Sequence, residues 1–385
     1  MDLNYSDEQL LLKESAERFL KERYDFERRG KIIASETGFD SGIWSDMADL
    51  GWLALPFAEE NGGLGGGAVE ISLIMEAVGR ALMVEPYLTS VILAGGLVEK
   101  LGSEEQRVEI LGGLIAGTSR PALAHAERQT GFDLGNIAAT AIRSGEGYLI
   151  SAEKPLVLGG QFADVFLVSA RLDGAVKLFA VPADASGLTS TEVKLVDGSR
   201  ASDLVLDNVR VAASALFGAG ADTLAEIEAA HDRANAALAS EAVGIMDALM
   251  DATVAYTKER VQFGKPLAAF QALQHRMGEM AVKCQEARGS ALLATLSVDA
   301  PRSMRIRGVS GARAKIGKVS RSVAQEAIQL HGAMGFSEEM PVGAWFRRLY
   351  AMENTFGTTA DHLKRYGEII RDPAVLSGSL LREPV

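Results

Sequence analysis

The sequence contains little of the cysteine and histidine that metal and disulfide sites require. Its 385 residues include one cysteine, Cys284, so no disulfide can form within the chain. We interpret Cys284 as a small packed residue rather than a nucleophile, because it lies in a helical stretch beside Val282. The five histidines show no spacing typical of metal ligands. A metal site built from cysteines is therefore excluded, and we expect no metal.

Positive charge and long apolar runs are also scarce. Lysine and arginine total 39 against 51 acidic residues, a net charge of −12, and no long basic run occurs. This balance argues against a nucleic-acid partner and against binding to an anionic membrane. No apolar run reaches membrane-spanning length, and the acidic start, MDLNYSDEQLLLKES, is unlike a signal peptide. We expect a cytoplasmic protein with no membrane insertion.

The chain has enough apolar residues, 48%, and enough length to form two or three packed domains. Residues 1–118 show helical periodicity, with Ser6 as the first helix cap. Residues 119–217 alternate apolar and polar positions between glycine, aspartate and proline, which predicts short antiparallel strands. Residues 218–385 return to the helical period. We therefore predict three domains with these boundaries.

The third domain is predicted to contain long helices joined by short links, as in an antiparallel bundle. The first begins near Asp222. The next two are predicted over residues 271–298 and 304–330. A final helical segment is predicted from Ala344 to Ile370, and an extended tail from about Asp372.

The stretch YTKERVQFGKPLAAFQALQH, residues 256–275, has the most informative order of residues. Pro266 cannot continue a helix, and Gly264 allows the backbone to turn. Arg260 therefore lies where a helix meets a loop, and its planar guanidinium is suited to binding a phosphate. From periodicity alone, an ordinary helix–loop–helix with a capping arginine is the favoured interpretation.

This stretch closely resembles the signature of the acyl-CoA dehydrogenase family, R-x-Q-F-G-x-x-[IL]-x-x-F-Q-x-x-x-H. The resemblance implies that FAD of the neighbouring subunit is bound by Arg260, Gln262, Phe263 and Gln271. A second family signature, Q-x-x-G-G-x-G-[FY], is matched by Gln329, His331, Gly332 and Gly335, with Ala333 in place of one glycine. Without the first signature, the second would be interpreted as a helix end followed by a glycine-rich turn.

The resemblance covers nearly the whole chain. It implies an α+β multi-domain fold with an N-terminal helical domain, a middle antiparallel β-barrel domain and a C-terminal four-helix bundle. Within the family, the chain is most similar to the small-subunit type of pimeloyl-CoA dehydrogenase. Members of the family remove two hydrogens from a fatty-acyl thioester. A carboxylate takes the α proton, and the β hydrogen leaves as hydride to the flavin.

Three segments depart from the family pattern. Phe356, in Asn354–Thr358, occupies the place of the usual glutamate base, and a phenyl ring cannot take a proton. Leu156 and Leu158 stand where the family has a tryptophan and a threonine that contact the flavin ring. Residues 124–130, AHAERQT, replace a strand-loop that normally faces flavin and substrate. His125 and Glu127 in this segment could approach a substrate or could be solvated.

Glu241 is the candidate for a substitute base. It shares the apolar face of its helix with Leu238 and Ile245, where burial would raise the pKa of its carboxyl group. The alternative is a buried glutamate paired with an arginine or a helix end. Glu353 and Glu338 are weaker candidates.

The retained signatures and the departures together predict one subunit of a heteromeric acyl-CoA dehydrogenase. The expected partners are an acyl-CoA substrate, a second acyl-CoA dehydrogenase subunit in an α2β2 tetramer, and electron-transfer flavoprotein. The expected pathways are β-oxidation of fatty acids or steroid side chains. Two alternatives remain open at this point: a self-sufficient homo-oligomeric dehydrogenase that uses Glu241 as base, and a scaffold subunit without flavin. An acyl-CoA oxidase or a nitroalkane-type flavoenzyme is a further enzymatic alternative.

Overall fold

The computed structural model describes residues 4–218 and 220–371 of the chain, so the tail predicted from about Asp372 lies outside the described residues. The α-helices are α1 Asp7–Arg23, α2 Phe26–Ala34, α3 Ser41–Asp49, α4 Ala68–Ala81, α5 Gly96–Leu101, α6 Glu104–Gln106, α7 Gly112–Ile115, α8 Thr223–Glu259, α9 Gln271–Ser297, α10 Arg302–His331, α11 Val342–Glu353 and α12 Thr359–Ile370. Two π-helical stretches cover Tyr87–Gly95 and Arg107–Leu111.

The strands are β1 Pro121–Ala124, β2 Thr140–Ser144, β3 Gly147–Leu158, β4 Val165–Leu172, β5 Ala175–Pro182, β6 Leu188–Lys194, β7 Arg200–Ala212, β8 Leu216–Phe217, β9 Val261–Gln262 and β10 Lys265–Pro266. The order of helices, strands and helices along the chain is the predicted one. No helix among residues 4–218 and 220–371 is long and apolar enough to cross a membrane.

The chain divides into two compact units. The first combines residues up to Arg29, Ala68–Met83 and the residues from Asn235 onward; the second comprises Gly30–Gly67 and Val84–Ala234. The predicted three-domain division, with boundaries after Thr118 and Phe217, stays a prediction.

The first unit is helical, and its helix bounds follow the apolar pattern of the sequence closely. The predicted cap at Ser6 is confirmed: its hydroxyl accepts a hydrogen bond from the Gln9 N–H, and the Gln9 side chain accepts one from the Ser6 N–H. The long helices α9 and α10 match the predicted ranges to within about two residues. Small side chains between them, at Ala294, Val298, Val309 and Ala312, form a buried apolar cluster.

The prediction of one helical segment from Ala344 to Ile370 is wrong. The chain leaves the helix after Glu353 and re-enters it at Thr359, because Phe356 and Gly357 have positive φ angles of 55° and 121°. Thr358 then caps α12, since its hydroxyl accepts a hydrogen bond from the Asp361 N–H. A loop that contains Phe356 therefore separates α11 from α12.

Helices α4 and α8 cross with their backbones in contact. A Cβ atom on Gly79 would lie 2.1 Å from the carbonyl oxygen of Glu241, and one on Gly244 would lie 1.9 Å from that of Glu76. Each glycine thus admits the main chain of the other helix. This crossing fixes the depth at which Glu241 lies in the first unit.

The second unit is built around an eight-stranded sheet with the order β6-β7-β3-β2-β4-β5-β8, and β1 pairs with β4. The segments 148–150, 165–168, 177–181 and 204–206, which have the alternating pattern, lie in β3, β4, β5 and β7 respectively. Most neighbours are antiparallel as predicted, but β1 and β2 each pair in parallel with β4, with Pro121 opposite Val165 and Thr140 opposite Arg171. Because a parallel pair joins strands distant in sequence, the alternating pattern alone did not reveal it.

Candidate functional site

The two signature segments lie at one end of the helices in the first unit. Tyr256, in the last turn of α8, stacks on His331, the last residue of α10, with ring centroids 4.6 Å apart and planes 26° apart. Arg260 follows one turn after Tyr256, and Gly332 follows His331 directly. Two stretches more than 50 residues apart in the sequence are therefore brought together.

After Arg260 the chain forms a short β-hairpin with a two-residue turn, where the sequence predicted only a loop. Gln262 pairs with Lys265 across β9 and β10, and Phe263 and Gly264 form the turn with φ angles of 53° and 78°. Positive φ at both positions suits a tight hairpin turn, but it is strained for a phenylalanine. The Phe263 side chain is 90% exposed. An apolar ring is thus held in solvent at the tip of the hairpin.

The hairpin base is organised by Phe270. Phe263 meets the Phe270 ring edge-on at 6.2 Å between centroids, and the Lys265 ammonium lies 4.3 Å from the centre of the same ring. Gln271 begins α9 directly after Phe270 and is exposed. The predicted residues Arg260, Gln262, Phe263 and Gln271 therefore occur together on one exposed surface.

The turn after α10 requires glycine at two positions. Gly332 has φ 61° and ψ −135°, a conformation that other residues rarely adopt, and it ends the helix. A Cβ atom on Gly335 would lie 2.8 Å from the carbonyl oxygen of Ile328. Gln329 and Gly332 are exposed, whereas Gly335 and the His331 ring are buried.

The exposed donors at this end of the unit fit the nucleotide part of FAD. A guanidinium at Arg260 suits a pyrophosphate. The amides of Gln262, Gln271 and Gln329 can bind ribose or adenine, and Phe263 offers a flat apolar face. These residues could hold the adenosine and pyrophosphate part of the cofactor; their roles stay predictions.

Glu241, the predicted substitute base, is buried in the first unit as its apolar face predicts, with 2% exposure. Both of its carboxylate oxygens accept hydrogen bonds from the Arg348 guanidinium, at 2.6 Å from Nε and 2.9 Å from Nη2. This is the arginine pairing that the sequence left open as the alternative. Glu241 would have to release a hydrogen bond before taking a proton, and its catalytic role stays a prediction.

The two weaker candidates are also paired with arginines. Glu353 accepts hydrogen bonds from Arg321 at 2.5–3.0 Å, and Glu338 accepts from Arg347 at 3.2 and 3.3 Å. The Glu338 side chain is 79% exposed, so its pair lies in water.

The loop that carries Phe356 is held by two buried side chains that the sequence did not single out. Arg313 donates hydrogen bonds to the carbonyl oxygens of Met352 at 2.7 Å and Thr355 at 3.1 Å, and to Asn235 Oδ1 at 3.0 Å. Asn235 donates in turn to the Phe356 carbonyl at 3.3 Å. Burial lowers the pKa of Arg313 to about 10. Arg313 and Asn235 could have been found in the sequence as polar residues on otherwise apolar helix faces.

Leu156, which replaces the family tryptophan, lies in an irregular part of β3 in the second unit. The pairing register of β3 with β7 shifts between Lys154 and Val157, and Leu156 has φ 51° and 54% exposure. Its N–H donates to Asp203 Oδ1 at 2.8 Å. A bulge that re-aims one side chain is common beside functional sites. The bulge is present in this chain, but it carries Leu156, whose side chain cannot form a hydrogen bond with a flavin.

His125 and Glu127, in the second unit, are buried rather than solvated. The Lys154 ammonium donates to Glu127 Oε1 at 2.6 Å, to Ser169 Oγ at 3.0 Å and to the His125 carbonyl at 3.0 Å. Burial lowers the pKa of Lys154 to about 8, against the opposing effect of Glu127. Burial also lowers the pKa of His125 well below its usual value, with His231 and Lys154 adding to the effect. These groups organise the strand-loop after β1.

Cys284 is packed, as predicted. It is 4% exposed, and burial raises the pKa of its thiol to about 12, with Asp247 acting in the same direction. Among the described residues, no group of three or more His, Cys, Asp or Glu is placed to hold a metal ion.

Models of the three acyl-CoA dehydrogenase domains match this chain. The N-terminal domain model covers residues 6–118, the middle domain model 122–209 and the C-terminal domain model 223–370. Among curated proteins, the chain is 30% identical over 370 residues to a probable acyl-CoA dehydrogenase, YngJ, of Bacillus subtilis. That alignment spans 93% of this chain and 97% of the relative.

Solved structures show the same fold. A variant of the Tcur3481-Tcur3483 steroid ACAD aligns with a TM-score of 0.86 and 27% identity, over 96% of this chain and 99% of that chain. The ChsE4-ChsE5 complex of Mycobacterium tuberculosis aligns with a TM-score of 0.85 and 23% identity, over the full length of both chains. With the helical, β and helical parts in the same order and the signature residues in place, the chain belongs to the acyl-CoA dehydrogenase family, oxidoreductases whose cofactor is FAD.

Proposed function

We propose that this chain is one subunit of an α2β2 acyl-CoA dehydrogenase and contributes part of the FAD site of its partner chain. The observation that carries the proposal is the exposed surface formed by the two signature segments. Arg260, Gln262, Phe263, Gln271 and Gln329 are all exposed there, beside the turn at Gly332. A guanidinium, three amides and a 90% exposed phenyl ring at one end of a helical unit form a surface suited to binding a ligand.

The partner is inferred from what this chain lacks. Phe356 stands in the place of the usual base, and Leu156 and Leu158 replace residues that contact the flavin ring. These substitutions remove the base and the polar flavin contacts from the active site that this chain would otherwise form with its own β domain. A second acyl-CoA dehydrogenase chain that supplies the flavin-ring contacts and the base would complete one working site. The resemblance to the small-subunit type of pimeloyl-CoA dehydrogenase supports the same arrangement.

Two of the similar solved structures are each named for two proteins. One is the Tcur3481-Tcur3483 steroid ACAD and the other is the ChsE4-ChsE5 complex. These pairs favour a heteromeric assembly for this chain over a homomeric one, and the first favours a substrate of the steroid class. Fatty-acyl substrates remain in the proposal alongside it.

In this assembly the residues of this chain bind and orient rather than react. Arg260 neutralises a pyrophosphate, and the amides and Phe263 bind the adenosine part, which fixes the cofactor against its substrate. FAD, when bound, accepts the hydrogen that leaves the β carbon of the acyl thioester. Electron-transfer flavoprotein is the proposed acceptor of the electrons. The α proton is taken by a carboxylate of the partner.

A homo-oligomeric enzyme that uses Glu241 as its base is the second candidate. It has less support, because both oxygens of Glu241 are held by Arg348. A scaffold subunit without flavin is the third. It leaves unexplained why a strained Phe263 and a glycine-only conformation at Gly332 occur at the two signature positions.

The substitution Arg260→Ala tests the proposal. The chain is co-expressed with a second acyl-CoA dehydrogenase chain of the same organism that carries the base. FAD content and FAD dissociation constant are then measured for the purified pair. We expect Arg260→Ala to weaken FAD binding at least tenfold, because a charge-assisted hydrogen bond to phosphate is lost.

Lys258→Ala is the matched control, since it removes an exposed positive charge two residues away on the same helix end. It is expected to change FAD affinity by less than about twofold. Equal affinities for the Arg260→Ala variant and the unmodified pair would contradict the proposed role of this surface.

A further inference from the structure

We propose that Tyr256 and His331 are positioning residues of the FAD site, and that their stacked rings set the spacing between Arg260 and the Gly332 turn. This inference rests on the proposed function. It also changes the role expected for His331, which the family signature presents as a residue in contact with FAD.

The His331 ring is enclosed at the junction of α8 and α10. The residue is 2% exposed, and its Nδ1 lies 2.8 Å from the carbonyl oxygen of Ala327 in its own helix. A carbonyl oxygen only accepts, so Nδ1 carries the proton and donates to it. Nε2 is also buried from solvent. Neither ring nitrogen can reach a ligand on the exposed surface of the first unit.

The same ring contacts two successive turns of α8. It stacks on Tyr256, and one turn earlier the backbone of Ala252 faces it. Burial lowers the pKa of His331, while the backbone groups of Ala327 and Ala252 act in the opposite direction. The ring therefore acts as a neutral spacer between the two helix ends. Its position is fixed from α10 by a hydrogen bond and from α8 by stacking.

Tyr256 is linked directly to Arg260 through the main chain. The Arg260 N–H donates to the Tyr256 carbonyl at 2.9 Å, and the Arg260 carbonyl accepts from the Leu267 N–H at 2.9 Å, which closes the hairpin. On the other side, Gly332 continues from His331, and its N–H donates to the carbonyls of Ile328 and Gln329. A shift of either ring therefore moves a signature segment.

The residues proposed to meet the ligand are themselves exposed. Phe263 is 90% exposed, and Gln329 and Gly332 are exposed as well. Their separation depends on the ends of α8 and α10, and a ligand that spans both segments loses contacts when that separation changes. The stacked pair is placed where it can set this separation, and the buried His331 ring does so without touching the ligand.

A double-mutant cycle in the co-purified pair tests this role. Tyr256→Leu removes the stack, and we expect it to weaken FAD binding five- to tenfold, whereas Tyr256→Phe keeps the ring and changes it less than twofold. If Tyr256 acts through Arg260, then Tyr256→Leu will have little further effect in the Arg260→Ala background. The melting temperature of the flavin-free pair is measured in parallel, since general destabilisation would lower it without this pattern.

Two results would overturn the inference. One is a Tyr256→Leu pair with unchanged FAD affinity; the other is full additivity of the Tyr256→Leu and Arg260→Ala effects. If Tyr256→Leu does not fold, His331→Gln breaks the stack from α10 and is measured by the same cycle. An Arg260→Ala variant that binds FAD normally would count against the proposed function itself, whereas normal binding by Tyr256→Leu alone would count only against the positioning role.

Discussion

At the scale of single residues, Glu241 shows how a buried carboxylate can be interpreted in two ways. Its place on an apolar helix face indicated burial, which the structure confirms. The same pattern could not show whether the partner was a substrate or an arginine. Arg348 lies 107 positions further along the chain and donates to both carboxylate oxygens. Burying a charge is costly unless it is paired, and this pair meets that requirement within the first unit.

We predict that Glu241→Gln lowers the free energy of unfolding by about 3–5 kcal/mol, because it leaves the Arg348 guanidinium without its ionised partner. Glu338→Gln is the control, since its pair with Arg347 is exposed, and we expect it to cost less than about 1 kcal/mol. Urea unfolding of both variants measures the difference. If instead Glu241→Gln abolished turnover while leaving stability at the level of the control, Glu241 would be a base rather than a structural ion pair.

At the scale of elements, the loop between α11 and α12 combines backbone strain with buried polar support. Arg313 and Asn235 hold its carbonyl groups, and a Cβ atom on Gly357 would lie 2.8 Å from Nε2 of His362. His362 is 4% exposed, and its Nδ1 lies 3.4 Å from Ser310 Oγ. Burial lowers the pKa of His362 to about 3, with Arg313 and Arg365 adding to the effect. The imidazole is therefore neutral in the folded chain.

This neutral histidine links folding to pH. As pH falls below about 6.5, an unfolded imidazole binds a proton, whereas the folded His362 does not until pH nears 3. The contribution of the neutral His362 to the free energy of unfolding is therefore fully present above about pH 6.5. It falls in acid by about 1.4 kcal/mol per pH unit, because one proton binds to the unfolded chain. We predict that His362→Asn reduces this slope by about one proton when urea unfolding is followed between about pH 5 and pH 6. An unchanged slope would contradict a buried neutral His362.

Particular elements show which structural features were readable in the sequence. Helix bounds, the Ser6 cap and the strand segments follow from periodicity and capping, which act over a few residues. The break at Phe356 was missed because its causes are Arg313, Asn235 and His362, which are distant or follow later in the chain. The parallel pairing of β1 with β4 was missed for the same reason. Tertiary contacts decided each of these cases.

The site was predictable to a similar degree. The order of residues around Arg260 and Gln329 resembles the family signatures, which predicts that both segments bind one cofactor, and the structure brings the two segments together. The stacking of Tyr256 on His331, which joins them, could not be foreseen, because no local pattern specifies which ring meets which. Likewise, the sequence did not show whether His125 and Glu127 are exposed. They are buried because Lys154 donates hydrogen bonds to the His125 carbonyl and to the Glu127 carboxylate.

At the scale of the whole molecule, two chains are proposed to form one active site, in which this chain binds part of FAD and the partner supplies the flavin-ring contacts and the base. This chain belongs to the acyl-CoA dehydrogenase family over residues 6–118, 122–209 and 223–370. Its exposed signature surface suits a cofactor, while its own base position holds Phe356. A net charge of −12 gives no reason to expect a nucleic-acid partner. The proposed assembly is therefore one in which FAD is shared between unlike subunits.

The number of FAD molecules per chain tests this central claim most directly. The chain is purified alone and together with its base-bearing partner, and flavin is quantified by absorbance against protein concentration. We predict a lone chain without flavin and a pair with one FAD for every two chains, active in acyl-CoA dehydrogenation. A lone chain that carries one FAD per polypeptide and turns over acyl-CoA would contradict it.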